Sequence, residues 1–249
     1  MSYFHKKYAI RLSWIAFLFY FQPIAFAGNI DAPVFKAGDL WHYKTTDFKA
    51  PNKWSQLHVQ QIVTRVTSSS IYLSGKPIES PLPAREFIIR NDLGRTAMFN
   101  GSEVIVSKPA SFPLSDGKTW DINWSENNPN ANFKMISNSV QYKVLGMETV
   151  TVLAGSFQAM KIEAEGQWRN ESLPSITTTN IVKSNSSGTS VASNITSNEE
   201  KLNSGRIYRA YWYVPEVKRM VKVIEETYNS SGERMDQLKL ELELYKVSN

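Results

Sequence analysis

The residue types that could carry out catalysis are few in this chain and widely spaced. Of its three histidines, His5 lies in a leading segment that is expected to be removed. A serine hydrolase needs a histidine beside its nucleophile and a carboxylate beside that histidine. No Gly-x-Ser-x-Gly turn accompanies His42 or His58, and the neighbouring Asp39 and His42 have no second motif to converge with. Both histidines are therefore predicted to fill ordinary strand positions, and no catalytic residue is assigned.

Metal and cofactor sites are not predicted either. Zinc prefers cysteine and histidine ligands, and the chain has no cysteine. The amides of Asn127–Asn130 lack the carboxylates of a calcium loop. Glu163 and Glu165 share one predicted strand face, as do Glu241 and Glu243, whereas a glycosidase pair must face each other across a cleft. The sequence predicts a non-enzymatic protein without metal or cofactor, with an enzyme of an unfamiliar type as the alternative.

Aromatic side chains are the most unusual feature of the chain. On a predicted strand over Arg206–Val214, Tyr211 and Tyr213 share one face and Trp212 lies on the other. A strand that is apolar on both faces is covered on both faces. The aromatics could form an ordinary core with their polar atoms at its margin, or one face could line a cavity for an apolar ligand. The predicted ligand-binding residues are Trp41, Tyr43, Trp120, Tyr211 and Tyr213.

The elements that position these aromatics are predicted to be antiparallel strands. Over Gln237–Val247, four leucines alternate with charged residues, and a two-residue period places Leu238, Leu240, Leu242 and Leu244 on one side of a strand. This pattern outweighs the helical propensity of leucine and glutamate, because burial of one sheet face dominates a weak intrinsic preference.

Two further strands precede this one and complete a meander. Arg206–Val214 ends at the turn signal Pro215-Glu216, and Arg219–Tyr228 is followed by a hairpin loop at Asn229–Gly232. Shorter strands are predicted upstream at Leu57–Val66, Ser70–Leu73, Phe87–Arg90, Val104–Val106, Val140–Val144, Thr149–Leu153 and Phe157–Glu165. The predicted fold class is mostly β, a curved open sheet or incomplete barrel of antiparallel meander strands with little helix.

Domain organisation is predicted to be simple. Residues 28–249 form a single domain, which is interrupted by a Ser/Asn-rich insertion at 184–204. That insertion is too polar to bury much surface, and it is expected to be a flexible loop between two strands.

The first 27 residues have the three parts of a secretory signal. A basic start with Lys6, Lys7 and Arg11 is followed by an apolar run over Leu12–Phe21 and a small-x-small end at Ala25–Ala27. An uncleaved anchor would need roughly 20 apolar residues, so cleavage after Ala27 is expected. The product is predicted to be periplasmic or secreted, and soluble.

Charge excludes one class of partner. The formal net charge of +5 falls to +2 when the three basic residues of the signal are removed. The remaining positive residues are scattered among acids, whereas a nucleic-acid binder presents a clustered basic face. Nucleic acid is therefore not an expected partner.

Three patches carry a family resemblance. In order, Gly38–Tyr43, Val152–Ile162 and Tyr211–Lys222 resemble the TapB-like domains of unknown function in bacterial envelope proteins. Those domains are similar to the curved antiparallel sheets of periplasmic lipoprotein carriers. The resemblance implies a fold and a compartment, but no reaction and no catalytic residue.

Two functions are favoured at this point over a small outer-membrane barrel and over the enzyme of unfamiliar type named above. The first is a non-enzymatic binding module of the bacterial envelope that holds a lipid or other apolar ligand in a concave sheet. The second is a structural or assembly factor that acts through contact with another envelope protein.

Overall fold

The computed structural model describes residues 28–49, 53–184, 190–199 and 201–248. The predicted signal peptide and its cleavage site after Ala27 lie outside the described residues. The described strands are β1 (Leu40–Lys49), β2 (Lys53–Val66), β3 (Ser70–Pro77), β4 (Arg85–Arg90), β5 (Arg95–Phe99), β6 (Ser102–Ser107), β7 (Thr119–Asn130), β8 (Phe133–Val152), β9 (Gly155–Ser172), β10 (Ser175–Ser184), β11 (Ser190–Glu199), β12 (Leu202–Val214), β13 (Arg219–Tyr228) and β14 (Arg234–Lys246).

Ten of these strands form one curved, open antiparallel sheet. Its order is β4-β3-β2-β1-β14-β13-β12-β9-β8-β7, and β5-β6 and β10-β11 form two separate hairpins. Within the described residues the only helix is one 3₁₀ turn at Pro215–Val217. The predicted fold class is therefore confirmed.

The predicted meander of three strands at the carboxyl end is confirmed. Strands β12, β13 and β14 pair in succession, and the turn after β12 begins with Pro215 at the first position of the 3₁₀ turn. Lys218 closes this turn in the left-handed conformation, with φ of 63°. The chain therefore reverses sharply, and Arg219 begins β13 directly after the turn.

The leucine alternation of β14 is interrupted by one bulge. Tyr43 pairs with Leu242 and His42 pairs with Leu244, so the register skips Glu243. A bulge places an extra residue on one strand and breaks the two-residue period. Leu238, Leu240 and Leu242 share one face, but Leu244 lies on the opposite face and is 48% exposed. The prediction that all four leucines share a face is wrong for Leu244.

Two other local predictions need correction. The insertion at 184–204 is not a loop throughout, because residues 190–199 form β11, which pairs with β10 along its whole length. Residues 185–189 lie outside the described residues. Gly146 does not separate two strands; it forms a bulge inside the single strand β8, with φ of 103°, a conformation that favours glycine.

One face of the large sheet, the inner face, carries Tyr43, Tyr211 and Leu240. Residues 91–118, which include β5 and β6, pack against this face and are called the cover segment. Phe112 of the cover segment packs edge-on against Tyr213 with ring centroids 5.3 Å apart. Trp120 donates its indole N–H to the carbonyl of Lys108 at 2.9 Å. The main core lies between the sheet and this segment.

Candidate functional site

A cavity of about 440 Å³ lies between the inner face and the cover segment. Its apolar wall is formed by Phe87, Ile89, Leu93, Met220, Val223 and Leu240. Its polar lining includes Gln61, Arg95, Ser107, Arg219 and Glu225. A concave space of this size, mostly apolar with a few polar groups, is typical of small-molecule sites.

The meander builds the floor of the cavity from neighbouring strand positions. Tyr211 pairs with Val223, and Val223 pairs with Leu240, so three adjacent strands each contribute one side chain to the inner face. Paired residues on one face of a sheet lie in direct contact. The pairing of β13 with β12 and β14 therefore determines this part of the wall.

The opposite wall of the cavity includes Leu93, which is placed by the tight turn at the start of the cover segment. Asp92 accepts hydrogen bonds from the amide of Gly94 at 3.1 Å and from Nε of Arg90 at 3.2 Å. Leu93 adopts φ of 65° in this tight turn and lines the cavity. An aspartate that bonds to the backbone two residues later stabilises such a turn.

Two of the five predicted ligand-binding residues line the cavity. Tyr43 is buried, and its hydroxyl donates to the carbonyl of Met220 at 2.9 Å. Tyr211 donates its hydroxyl to Oε1 of Glu225 at 2.9 Å. Both phenols are satisfied inside the protein and present ring surface to the cavity.

The other three predicted residues make their contacts outside the lining of the cavity. Trp41 is 0% exposed and donates its indole N–H to the carbonyl of Val217 at 2.9 Å. Trp120 stacks on Tyr142 with ring centroids 5.2 Å apart, and Tyr213 packs against the cover segment. None of these three residues lines the cavity.

Several lining residues were not singled out from the sequence. Phe87, Leu93 and Arg219 reach the cavity, although nothing in the sequence marks their side chains as lining residues. Val223 and Leu240 could have been found, because their alternation places them on the same face as Tyr211.

The residues considered for catalysis do not converge in the structure. Asp39 accepts hydrogen bonds from Lys218 and from two backbone amides, and does not bond to His42. His58 Nδ1 lies 2.9 Å from the carboxylate of Glu243, and Nε2 of His42 is buried without a hydrogen-bond partner among the described residues. Both histidines are on the face opposite the cavity, as their register with β14 and β2 requires.

Neither a cluster of metal-ligating side chains nor a membrane-spanning helix occurs in the described parts of the chain. In residues 28–49, 53–184, 190–199 and 201–248, no three His, Cys, Asp or Glu side chains are grouped as metal ligands would be. No helix in the same ranges has the length and apolar character to cross a bilayer.

A second recess of about 590 Å³ lies against β7, β8, β9 and β12. Hydroxyl and amide side chains dominate its lining, together with Trp124 and Trp168. The indole N–H groups of these two tryptophans already donate to backbone carbonyls of Val106 and Tyr228. The first cavity has the more continuous apolar wall, so it is the better candidate for an apolar ligand.

Stability is expected to fall in alkaline solution because of the buried phenols. Burial raises the pKa of Tyr43, Tyr211 and Tyr213, and together with a hydrogen bond to Glu163 it raises the pKa of Tyr208 to about 12. Unfolded tyrosines ionise near pH 10, so the folded state binds protons that the unfolded state releases. The free energy of unfolding should be constant below pH 10 and should decline up to about pH 12. Urea unfolding at stepwise pH measures this decline; a flat profile over that range contradicts it.

Comparison with known proteins gives structural matches only. No protein-family model matches the chain, and no curated protein matches its sequence. A candidate lipoprotein from Parabacteroides distasonis superposes with a TM-score of 0.44 at 12% identity, covering 88% of this chain and 100% of that chain. A candidate exported protein with a YmcC-like fold from Bacteroides fragilis gives a TM-score of 0.42 at 14% identity, with the same coverage.

A third solved structure is more distant. The hypothetical lipoprotein YmcC from Escherichia coli superposes with a TM-score of 0.32 at 9% identity, covering 84% of this chain and 85% of that chain. Similarity at this level assigns no ligand, activity or family. The resemblance to TapB-like domains therefore stays a prediction.

Proposed function

We propose that this chain is a non-enzymatic protein of the bacterial envelope that binds a lipid or another apolar ligand between its curved sheet and its cover segment. The observation that carries the proposal is the cavity of about 440 Å³ with its wall of Phe87, Leu93, Val223 and Leu240. The amino-terminal secretory pattern over residues 1–27 supports the envelope location.

The chemistry of the lining favours binding over reaction. Apolar side chains gain about 25 cal/mol for each Å² of apolar surface removed from water, and a hydrocarbon chain seated here would be covered by such side chains. Glu225, the one carboxylate of the lining, already accepts a hydrogen bond from Tyr211. The lining offers apolar contact and a few fixed polar groups.

Filling the cavity should abolish binding without unfolding the sheet. We expect Leu240→Trp to weaken binding of the neutral fluorescent probe N-phenyl-1-naphthylamine by at least about tenfold, which is about 1.4 kcal/mol of lost contact. Lys239→Trp is the matched control, because Lys239 is adjacent on β14 but faces the opposite side of the sheet. Fluorescence titration of both variants and of the wild-type protein measures the difference.

The titration is paired with native mass spectrometry of protein purified from the bacterial envelope. Co-purified lipid in the wild-type protein and its loss in Leu240→Trp would support the proposal. Equal probe binding by both tryptophan variants, or no probe binding by the wild-type protein, would contradict it. A stoichiometric envelope protein captured without any lipid would favour the alternative, an assembly factor.

A further inference from the structure

Arg219 places a cation in the lining of the apolar cavity. It follows the turn at Lys218 and is half-buried. One guanidinium nitrogen, Nη1, donates to Oε1 of Gln61 at 2.6 Å. In the described ranges of the chain, no Asp or Glu side chain comes within salt-bridge distance of this guanidinium.

Aromatic rings hold the guanidinium in place. Its central carbon lies 5.0 Å from the ring centroid of Trp41 and 5.7 Å from that of Tyr43. A cation over an aromatic face is stabilised by the ring quadrupole. Trp41 and Tyr43 are fixed by their own hydrogen bonds to the carbonyls of Val217 and Met220. The orientation of Arg219 is therefore set before any ligand arrives.

The charges that line the cavity do not balance. They are Arg95, Arg219 and Glu225, which leave one excess positive charge. Glu225 is occupied by the hydroxyl of Tyr211 and lies 3.9 Å from Arg95. Glu225 therefore balances the charge of Arg95. The charge of Arg219, which lies over the rings of Trp41 and Tyr43, is the excess one.

The geometry of a guanidinium specifies what would complement this charge. Its planar fork of five N–H donors matches the two oxygens of a carboxylate or a phosphate. A charge-assisted hydrogen bond is stronger where water is partly excluded. Val223 and Leu240, which pair with each other and line the same cavity as Arg219, offer apolar surface for a chain.

Resting on the proposed function, we infer that the ligand is an anionic amphiphile, with a carboxylate or phosphate head bound by Arg219 and a hydrocarbon chain along Val223 and Leu240. Gln61 is a positioning residue that holds the guanidinium through its side-chain carbonyl. Trp41, predicted from the sequence as a ligand-binding residue, acts here as the platform under the cation.

The test compares four amphiphiles that share a decyl chain and differ in their heads. Undecanoate, decyl phosphate, 1-decanol and decyltrimethylammonium are titrated calorimetrically, below their micelle concentrations, into the full mature protein. We expect at least one anion to bind about 10- to 100-fold more tightly than 1-decanol, the range of a hydrogen bond to a charged group. The preferred anion separates a carboxylate source from a phosphate source.

Variants then assign the preference to Arg219. Arg219→Gln should reduce anion affinity to that of 1-decanol and leave 1-decanol binding unchanged, while Arg219→Lys should retain part of the preference. Arg65→Gln is the matched control, because Arg65 also stacks on an aromatic ring, that of Tyr72 at 3.7 Å, but is exposed and outside the cavity. Thermal unfolding establishes that each variant is folded.

The outcomes separate this inference from the proposed function. Equal affinity for all four heads, or an unchanged anion preference in Arg219→Gln, would overturn the role of Arg219 while leaving an apolar-ligand protein in place. Tighter binding of the cationic head would also overturn it. If no amphiphile binds, 1-decanol included, the proposed function itself fails. Because the head series uses wild-type protein, it tests the preference for an anionic head even if a variant does not fold.

Discussion

Replacing Asp39 with alanine should lower the free energy of unfolding by about 3–5 kcal/mol, the range measured when one partner of a buried ion pair is removed. Asp39 is 0% exposed. Its carboxylate accepts hydrogen bonds from Nζ of Lys218 at 3.0 Å, the amide of Lys36 at 3.0 Å and the amide of Ser248 at 2.8 Å. Without it, the ammonium of Lys218 keeps the carbonyl of Ser248 but loses its ionic partner, and the amides of Lys36 and Ser248 lose this acceptor.

The contacts of Asp39 explain why this loss is expected to be large. They join the start of β1, the turn between β12 and β13, and the residues after β14. Urea unfolding monitored by circular dichroism measures the loss, with Asp31→Ala as an exposed control. The double variant of Asp39 and Lys218 should lose less unfolding free energy than the sum of the losses in the two single variants. Each single variant leaves the other charge without its ionic partner, whereas the double variant removes both charges. A loss below about 1 kcal/mol in Asp39→Ala contradicts the prediction.

Adding one methyl group at Gly205 should destabilise the sheet by about 3 kcal/mol, the upper end of ordinary overpacking. A Cβ atom built there would lie 1.9 Å from the carbonyl oxygen of Tyr228 and 2.7 Å from Nε1 of Trp168. The indole of Trp168 donates to that same carbonyl at 2.9 Å. Backbone and a hydrogen-bonded ring must both shift to accept the methyl group.

Ser204→Ala, one residue earlier in the same strand, is the matched control for Gly205→Ala. Thermal unfolding should show a clear loss for Gly205→Ala and almost none for the control. Tryptophan fluorescence should also change in Gly205→Ala if the indole of Trp168 leaves its carbonyl partner. A stability equal to that of the wild-type protein would show that the strands separate there at little cost.

Strands whose burial follows a local period could be predicted from the sequence. The limits of β13 match the predicted strand Arg219–Tyr228, and β12 and β14 extend the predicted strands at their amino ends. Neighbouring strands joined by short turns pair locally, so alternation and turn residues together specify the meander. The open antiparallel sheet followed from these local signals.

Features that depend on distant parts of the chain could not be predicted. The bulge at Glu243 exchanges the face of Leu244, and alternation in the sequence gives no sign of it. The composition of residues 190–199 indicates a loop, but a strand pair is held by backbone hydrogen bonds that polar residues form equally well.

The site was predicted in part for the same reason. Tyr43 and Tyr211 line the cavity, while Trp41, Trp120 and Tyr213 do not. Which aromatics line it depends on where the cover segment crosses the inner face. Arg219 follows a turn, and a charged residue in that place is ordinarily solvated. Its contact with Trp41 could not be predicted from the sequence, because it depends on the folded arrangement of β1 and β13.

The pairing of β1 with β14 has a consequence for the order in which the molecule can assemble. Strands β1–β4 form one series of neighbours and β7–β9 with β12–β14 form another, and in the ten-stranded sheet the two series meet only along Leu40–Lys49 and its partner strand. A polypeptide delivered amino end first can form the sheet of β1–β4 early, but one edge of β1 stays unpaired until β14 is available. That seam joins the most distant strands of the sheet, and such late, non-local closure makes folding slow and leaves an open flank that can pair with other copies in the meantime.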